Sequence, residues 1–258
     1  MISQPMGITI MKSLSKEEVI NDLLGYDGLK IIQRPDMFNF SLDSTLLADF
    51  VVFTSKVKSI LDFGTGFAPI PLFLSLKTKV PIIGVEIQSD VAMLAKRNVT
   101  LNHLDDQITI LEADIKTLPK LIPPTSVDII TCNPPFFKYK ESSNTNESPY
   151  KTIARHEVLI DLETIIKTAK ILLNNKGHLV MVHRAERLTD IVTLLQKYQF
   201  ALKRLRFVHP RQHEMANMIL IDATNNGQTG VKILPPLYVH QDNGYTEEIL
   251  KIFNYGRK

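Results

Sequence analysis

The 258-residue sequence has one cysteine, no tryptophan and no uninterrupted apolar run of the ~20 residues needed to cross a bilayer as a helix. A single thiol, Cys132, excludes an internal disulfide framework and any cysteine-cluster zinc site, and it reads as a buried hydrophobe on a strand. The first residues lack a basic segment followed by a long apolar stretch, so a soluble, cytoplasmic protein with no membrane partner is expected. Strong charge of one sign is also missing, because the net charge is only +3. What charge there is lies unevenly: residues 151–213 hold twelve Lys/Arg against five acids, a surplus of seven that leaves the rest of the chain at −4. A basic region of this kind suits a surface facing phosphates, and it suits a solvated face with no partner equally well.

Hydrophobic residues make up 44% and charged residues 22%, enough apolar material for one large core. Three parts are expected: a polar tail over 1–18, a cap segment over 19–55 that leads into a helix through Leu46, Leu47 and Phe50, and an α/β domain over 56–258. In the last part short β-branched runs alternate with amphipathic stretches, the pattern of βαβ units and a parallel sheet. The runs Ser59–Phe63, Ile82–Glu86, Ile108–Leu111, Val127–Cys132, His178–His183, Lys203–Val208 and Met218–Asp222 read as strands. Pro69–Leu76, Asp90–Asn102, Leu159–Leu173 and Ala185–Tyr198 read as helices, the first opened by prolines and the third stopped by Asn174-Asn175-Lys176-Gly177. Residues 138–151, rich in Ser, Asn, Glu and Lys without apolar period, read as a long loop that would order over a bound substrate.

Asp62-Phe63-Gly64-Thr65-Gly66-Phe67-Ala68 follows an apolar strand and opens a helix, the context in which a glycine-rich turn binds a ligand closely. Glu86 ends the next strand twenty residues after Gly66, placed to accept hydrogen bonds from ribose hydroxyls. A nicotinamide site would share both features, but it wants a third glycine where this chain has Pro69; an S-adenosylmethionine site has no pyrophosphate and does not need one. Asp114, next in order at a strand end, is placed to accept from an adenine amino group, or simply to cap the succeeding turn. Asn133-Pro134-Pro135-Phe136 leaves the strand Val127–Cys132 with two backbone donors removed and its carbonyls available. Acceptors at the Asn133 side chain and the Pro134 carbonyl would hold an amino group and turn its conjugated lone pair toward an incoming methyl. Phe136 would stack on the acceptor ring, with Phe137 as the other candidate.

The order Asp62–Ala68, Glu86, Asp114, Asn133–Phe136 resembles the class I amino-methyltransferases over about residues 57–137. The wider chain is similar to a narrower group, the bacterial tRNA1(Val) adenine-37 N6-methyltransferases, through Gln33-Arg34-Pro35-Asp36 to Leu42-Asp43-Ser44, Ala154–Glu157, Val182–Leu188, His209-Pro210-Arg211 and Pro235–Val239. The resemblance implies a Rossmann-like, mostly parallel seven-stranded sheet with helices on both faces and one antiparallel strand near the C-terminus. It implies S-adenosylmethionine over Gly64 and Gly66, with Asp62, Glu86, Ile87, Asp114, Ile115 and Asn133 around it. Asn133, Pro134 and Phe136 would act on the base, with tRNA the expected partner; from the basic region, Arg155, Arg184, Arg187, Arg204, Arg206 and Arg211 are expected to contact RNA. Ala68 departs from the third glycine of many relatives. Methyl transfer of this kind needs no metal and no covalent intermediate, which leaves His156, His183, His209 and His213 without a required role. Two enzymatic alternatives share the motif set, guanine-N2 methylation of ribosomal RNA and glutamine-amide methylation of release factors; a non-catalytic RNA-binding protein is the alternative of another class.

Overall fold

The computed structural model describes residues 18–23, 26–34, 42–134 and 161–254. Strands β3 (Ile60–Phe63), β4 (Ile82–Glu86), β5 (Ile108–Glu112), β6 (Val127–Cys132), β7 (Leu173–Arg184), β8 (Phe200–His209) and β9 (Met218–Asn225) form one sheet in the spatial order β5-β4-β3-β6-β7-β9-β8. Neighbours pair in parallel except at β9, which runs antiparallel to both β7 and β8. Two short strands, β10 (Lys232–Ile233) and β11 (Leu237–Tyr238), pair along the outer edge of β8 and extend the expected seven strands to nine.

The strands read as apolar runs because both faces are covered. Ile60, Ile129, Val180, Val182 and Leu220 enter a core beneath α1 (Leu42–Phe50), α2 (Pro69–Lys77) and α3 (Ser89–Leu101). Leu61, Phe63, Ile130, Met181 and Ile221 enter a second core beneath α4 (Leu162–Leu172) and α5 (Leu188–Lys197). Alternation of side chains along each strand makes this division. A last helix, α6 (Glu247–Phe253), is capped by Thr246 and adds Ile249, Ile252 and Phe253 to the first core. Ahead of it a small hairpin joins β12 (His240–Gln241) to β13 (Gly244–Tyr245).

The helix ends at Leu172, and the expected stop Asn174–Gly177 falls within the first residues of β7. Lys176, at φ +67°, takes the left-handed conformation, whereas Gly177 leaves room: a Cβ there would lie 3.0 Å from the Asn174 carbonyl oxygen.

The segment ahead of α1 contains an antiparallel hairpin, β1 (Val19–Leu23) with β2 (Tyr26–Gln33), that polar alternation in the sequence concealed. Its outer edge is satisfied by side chains. Asn98 accepts from the Ile32 N–H at 2.6 Å and donates to the Ile32 carbonyl at 3.1 Å. Asn102 does the same for Lys30, at 2.8 and 2.7 Å. Four residues of helix rise about 6.0 Å and two residues of strand about 6.8 Å, so two asparagines one turn apart on α3 stand in for a neighbouring strand. Glu18 adds an ion pair to Arg97 on the same helix at 2.6 Å.

Helix α1 is tied at its far end. Lys77 Nζ donates to the carbonyls of Ala48, Asp49 and Val51 at 3.0, 2.6 and 3.1 Å, satisfying carbonyls that a helix end leaves open. Arg204 donates to the Phe50 carbonyl at 3.0 Å and lies over the Phe50 ring, 4.1 Å from its centroid. Because Lys77 ends α2 at the amino edge of the sheet, α1 runs from the carboxyl edge to the amino edge.

Candidate active site

The carboxyl ends of β3, β4 and β6 bring together Asp62, Gly64, Gly66, Glu86, Asn133 and Pro134. The turn after β3 is built by backbone conformation: Gly64 and Gly66 have φ of +65° and +56°, and Ala68 follows at +67° as the residue before α2. The Thr65 N–H donates to the Val85 carbonyl at 2.8 Å, pinning the turn to β4. Below it, Gly84 allows that approach, since a Cβ there would meet Thr65 Oγ1 at 2.8 Å. Sequence reading had no reason to mark Gly84.

Glu86 is buried and holds the turn from the side, its Oε2 accepting from the Gly66 N–H and its Oε1 from the Gln88 N–H, both at 3.0 Å. Burial raises its pKa, and these backbone donors oppose the rise. Asp62 is fully buried, with Oδ1 accepting from the Thr131 hydroxyl at 2.6 Å and Oδ2 without a hydrogen-bond partner. Burial pushes its pKa to about 7; the Thr131 and Thr65 hydroxyls oppose the rise and the Glu86 charge adds to it.

Asp114 caps the 3-10 turn Ile115–Lys120, its Oδ1 accepting from the Lys116 N–H at 2.9 Å. The capping alternative is therefore realised. Ile115 is buried, whereas Ile87 stays 40% exposed beside Glu86, an apolar surface at the edge of the turn. Pro134 is buried and Asn133 half-buried, with Asn133 Nδ2 donating to Ser44 Oγ of α1 at 3.3 Å. Pro135, Phe136, Phe137, Arg155, His156 and the loop 138–151 lie outside the described residues.

The site fits S-adenosylmethionine on two observations. A Cβ added at Gly64 or Gly66 would meet no atom within 4 Å, so the turn faces open space that side chains would fill. The Glu86 carboxylate, bonded to the Gly66 N–H, and the orphaned Asp62 oxygen on the strand that leads into the turn supply buried acceptors there.

The arginines divide. Arg184 ends β7 and Arg187 follows it, and Arg211 follows the carboxyl end of β8, with Arg211 57% exposed and paired to Glu214 at 3.0 Å. Arg187 bonds Asp190 at 2.9 Å. Arg204 and Arg206 sit within β8, and the structure spends their donors in the fold. Besides Phe50, Arg204 reaches Asp222 at 3.3 Å, and Asp222 also pairs with His178 at 2.7 Å. Arg206 bonds the Pro235 carbonyl at 2.9 Å and Glu248 at 2.6 Å. His183 is buried with its pKa lowered to about 4 by burial, the Arg187 and Arg184 charges adding to the fall. Cys132 is buried, which raises its thiol pKa well above the ordinary value. Among the described residues no helix is long and apolar enough to cross a membrane.

Comparison with known proteins agrees with this geometry. The methyltransferase small domain model matches residues 29–207. A tRNA1(Val) (adenine(37)-N6)-methyltransferase of Porphyromonas gingivalis is 32% identical over 191 residues, covering 72% of this chain and 73% of its own. One from Flavobacterium psychrophilum is 28% identical, covering 79% and 86%. Among solved structures, a protein of Agrobacterium tumefaciens described as a predicted O-methyltransferase superposes with a TM-score of 0.63 at 20% identity, covering 82% of this chain and 95% of its own. Geranyl diphosphate C-methyltransferase of Streptomyces coelicolor, solved with S-adenosyl-L-homocysteine, gives 0.53 at 10% identity over 70% and 79%. These structural likenesses carry the fold, the sequence relatives carry the family, and the chain belongs to the methyltransferase small domain family, among the tRNA1(Val) (adenine(37)-N6)-methyltransferases.

Proposed function

We propose that the chain transfers a methyl group from S-adenosylmethionine to the exocyclic N6 of an adenine in RNA, at position 37 of the tRNA(Val) anticodon loop. The observation that supports this best is the meeting of Asn133-Pro134 with Glu86 and the Gly64–Gly66 turn on one edge of the sheet, with the Asn133 amide nitrogen already engaged by Ser44. The names of the sequence relatives supply the adenine and its position. S-adenosylmethionine supplies an electrophilic methyl on a sulfonium.

In this reading Gly64 and Gly66 admit the donor closely, Glu86 accepts from its ribose hydroxyls, and Asp62 lies buried beneath the turn, bonded to Thr131. Asp114 accepts from the adenine amino group, with Ile87 and Ile115 flanking the ring. Asn133 Oδ1 and the Pro134 carbonyl each accept one hydrogen of the target amino group, which draws its lone pair out of conjugation and aims it along the methyl–sulfur bond. Phe136 stacks on the extruded base. Arg155, Arg184, Arg187 and Arg211, of which Arg187 pairs with Asp190 and Arg211 with Glu214, are the arginines of the basic region that meet phosphates in this reading, and Arg204 and Arg206 serve the fold. The protein acts in the cytoplasm, where its RNA partner is.

The test is tritiated methyl transfer to total tRNA, ribosomal RNA and release factors in parallel, followed by nucleoside analysis of the labelled RNA. N6-methyladenosine in tRNA at position 37 is the expected product. Label in N2-methylguanosine, or in a release-factor glutamine, would replace the proposal with one of its two enzymatic alternatives.

A further inference from the structure

We infer that Ser44 is a positioning residue for methyl transfer: its hydroxyl fixes which end of the Asn133 side-chain amide faces the acceptor nitrogen. The inference rests on the role given to Asn133 above and extends it to a residue 89 positions away in the sequence.

Strand alternation turns Asn133 toward α1. Ile129, four residues earlier, packs in the core on that side, and Thr131, two residues earlier, bonds Asp62, which lies in step with Ile60 of the same core. There Asn133 Nδ2 meets Ser44 Oγ at 3.3 Å, and Ser44, at 3% exposure, is shut off from water. The contact is at the long end for a hydrogen bond.

The terminal torsion of an asparagine is broad and nearly two-fold, so rotation by half a turn exchanges its oxygen and nitrogen at little intrinsic cost. At this site the two orientations are not equivalent. One offers an acceptor to the target amino group; the other sets N–H against N–H and leaves the acceptor nitrogen in conjugation. In the structure Nδ2 donates to Ser44 Oγ, which leaves Oδ1 as the end for the substrate; the reversed amide would require Ser44 to turn its own hydroxyl hydrogen onto Oδ1.

Ser44 is itself held in place along the helix axis. The three carbonyls bound by Lys77 and the Phe50 carbonyl bound by Arg204 anchor the far end of a nine-residue helix, so its first turn cannot slide from Asn133. This gives the segment before the sheet a part in the chemistry without contact with substrate.

The experiment is single-turnover methylation of tRNA(Val) transcript by saturating enzyme, with S-adenosylmethionine affinity and thermal melting measured alongside. Ser44→Ala is expected to slow the chemical step about tenfold, the equivalent of roughly 1.4 kcal/mol, while S-adenosylmethionine affinity and the KM for RNA stay within about twofold. Ser44→Cys keeps the volume but weakens the acceptor, and is expected to be slow as well; a parental rate there would show that packing alone was at work and overturn the inference. Asn133→Ala should be slower by a factor on the order of 100 or more, and adding Ser44→Ala to it should change nothing further. If Ser44→Ala runs at the parental rate while Asn133→Ala is defective, the inference falls and the role of Asn133 stands. If the two losses multiply in the double variant, Ser44 acts by another route and the inference also falls. If Asn133→Ala itself runs at the parental rate, the proposed function loses its acceptor site and takes this inference with it.

Discussion

A single methyl placed on Gly84 should loosen the cofactor turn from beneath. The added Cβ would lie 2.8 Å from Thr65 Oγ1, 3.0 Å from Thr65 Cβ and 3.0 Å from Ile110 Cδ1. Neither side can yield easily. Gly84 pairs with Asp62 of β3 on one side and Ile110 of β5 on the other, and Thr65 is pinned through its N–H to the Val85 carbonyl at 2.8 Å. Overpacking of this kind costs about 1–3 kcal/mol, or roughly 3–10 °C in melting temperature for a chain of this size. The sign is diagnostic, because Gly→Ala where the backbone is not left-handed ordinarily stabilises by about 0.4–1 kcal/mol. Thr65 lies between the two glycines, and the Gly66 N–H is bound to Glu86, so a shift of a few tenths of an ångström should also cost S-adenosylmethionine about tenfold in affinity, or roughly 1.4 kcal/mol. Scanning calorimetry and isothermal titration of Gly84→Ala measure both. Thr65→Ala removes the nearest clashing atom and should restore part of each loss in the double variant, a non-additivity expected only of residues in contact. Gly84→Ala that melts at or above the parental temperature with unchanged affinity would refute the reasoning.

Charged groups supply the remaining predictions. The folded-state pKa of Asp62, about 7, stands above the ordinary carboxylate value, so its favourable contribution is present below the unfolded pKa and is lost as pH rises through 7. Asp62→Asn removes that titration, and urea unfolding at pH 5 and pH 8 should find the variant gaining on the parent by roughly 2–4 kcal/mol between them; a difference independent of pH would rule the titration out. Arg204→Ala should lower stability by about 1–3 kcal/mol, through loss of the Phe50 ring contact and the exposure of Asp222 to imbalance, and leave the salt dependence of tRNA binding unchanged. Arg211→Ala should keep stability within about 0.5 kcal/mol and flatten the slope of log affinity against log salt by roughly one unit. Filter binding at several salt concentrations would expose the reverse pattern if the two arginines had each other's roles.

The sheet was legible because fully covered strands must be apolar on both faces, and runs such as Ile82–Glu86 and Val127–Cys132 leave little else for the chain to do. The grouping of the candidate site was legible where glycines, a strand-end carboxylate and Asn133-Pro134 each carry a local physical signature. The features that escaped were held by distant partners. The β1–β2 hairpin has too few apolar residues in step to announce itself, and it stands because Asn98 and Asn102 on a helix 66 or more residues later complete its edge. Asp114 showed two roles in sequence, and its bond to the Lys116 N–H makes the cap the visible one. The charge of Arg204 and Arg206 looked like surface because nothing local shows that Phe50, Asp222, Pro235 and Glu248 meet them.

β9 lies between β7 and β8 although it comes after both in the chain, and it pairs with His178–Arg184 on one side and with Phe200–Val208 on the other. During synthesis, β7 emerges with one edge bare and β8 emerges with no neighbour to join. Forty-one residues separate Arg184 from Asn225, which at ~5–20 residues per second is a wait of roughly 2–8 s. Through that interval the row of N–H and C=O groups along β7 is open to any extended segment nearby, the hazard that bare strand edges carry. The edge that bears Gly64, Glu86 and Asn133 leaves the ribosome first, but the sheet beneath it is completed by a strand translated almost last. Substitutions in Met218–Asn225 should therefore be felt in the yield of folded protein in the cell before they are felt in its turnover.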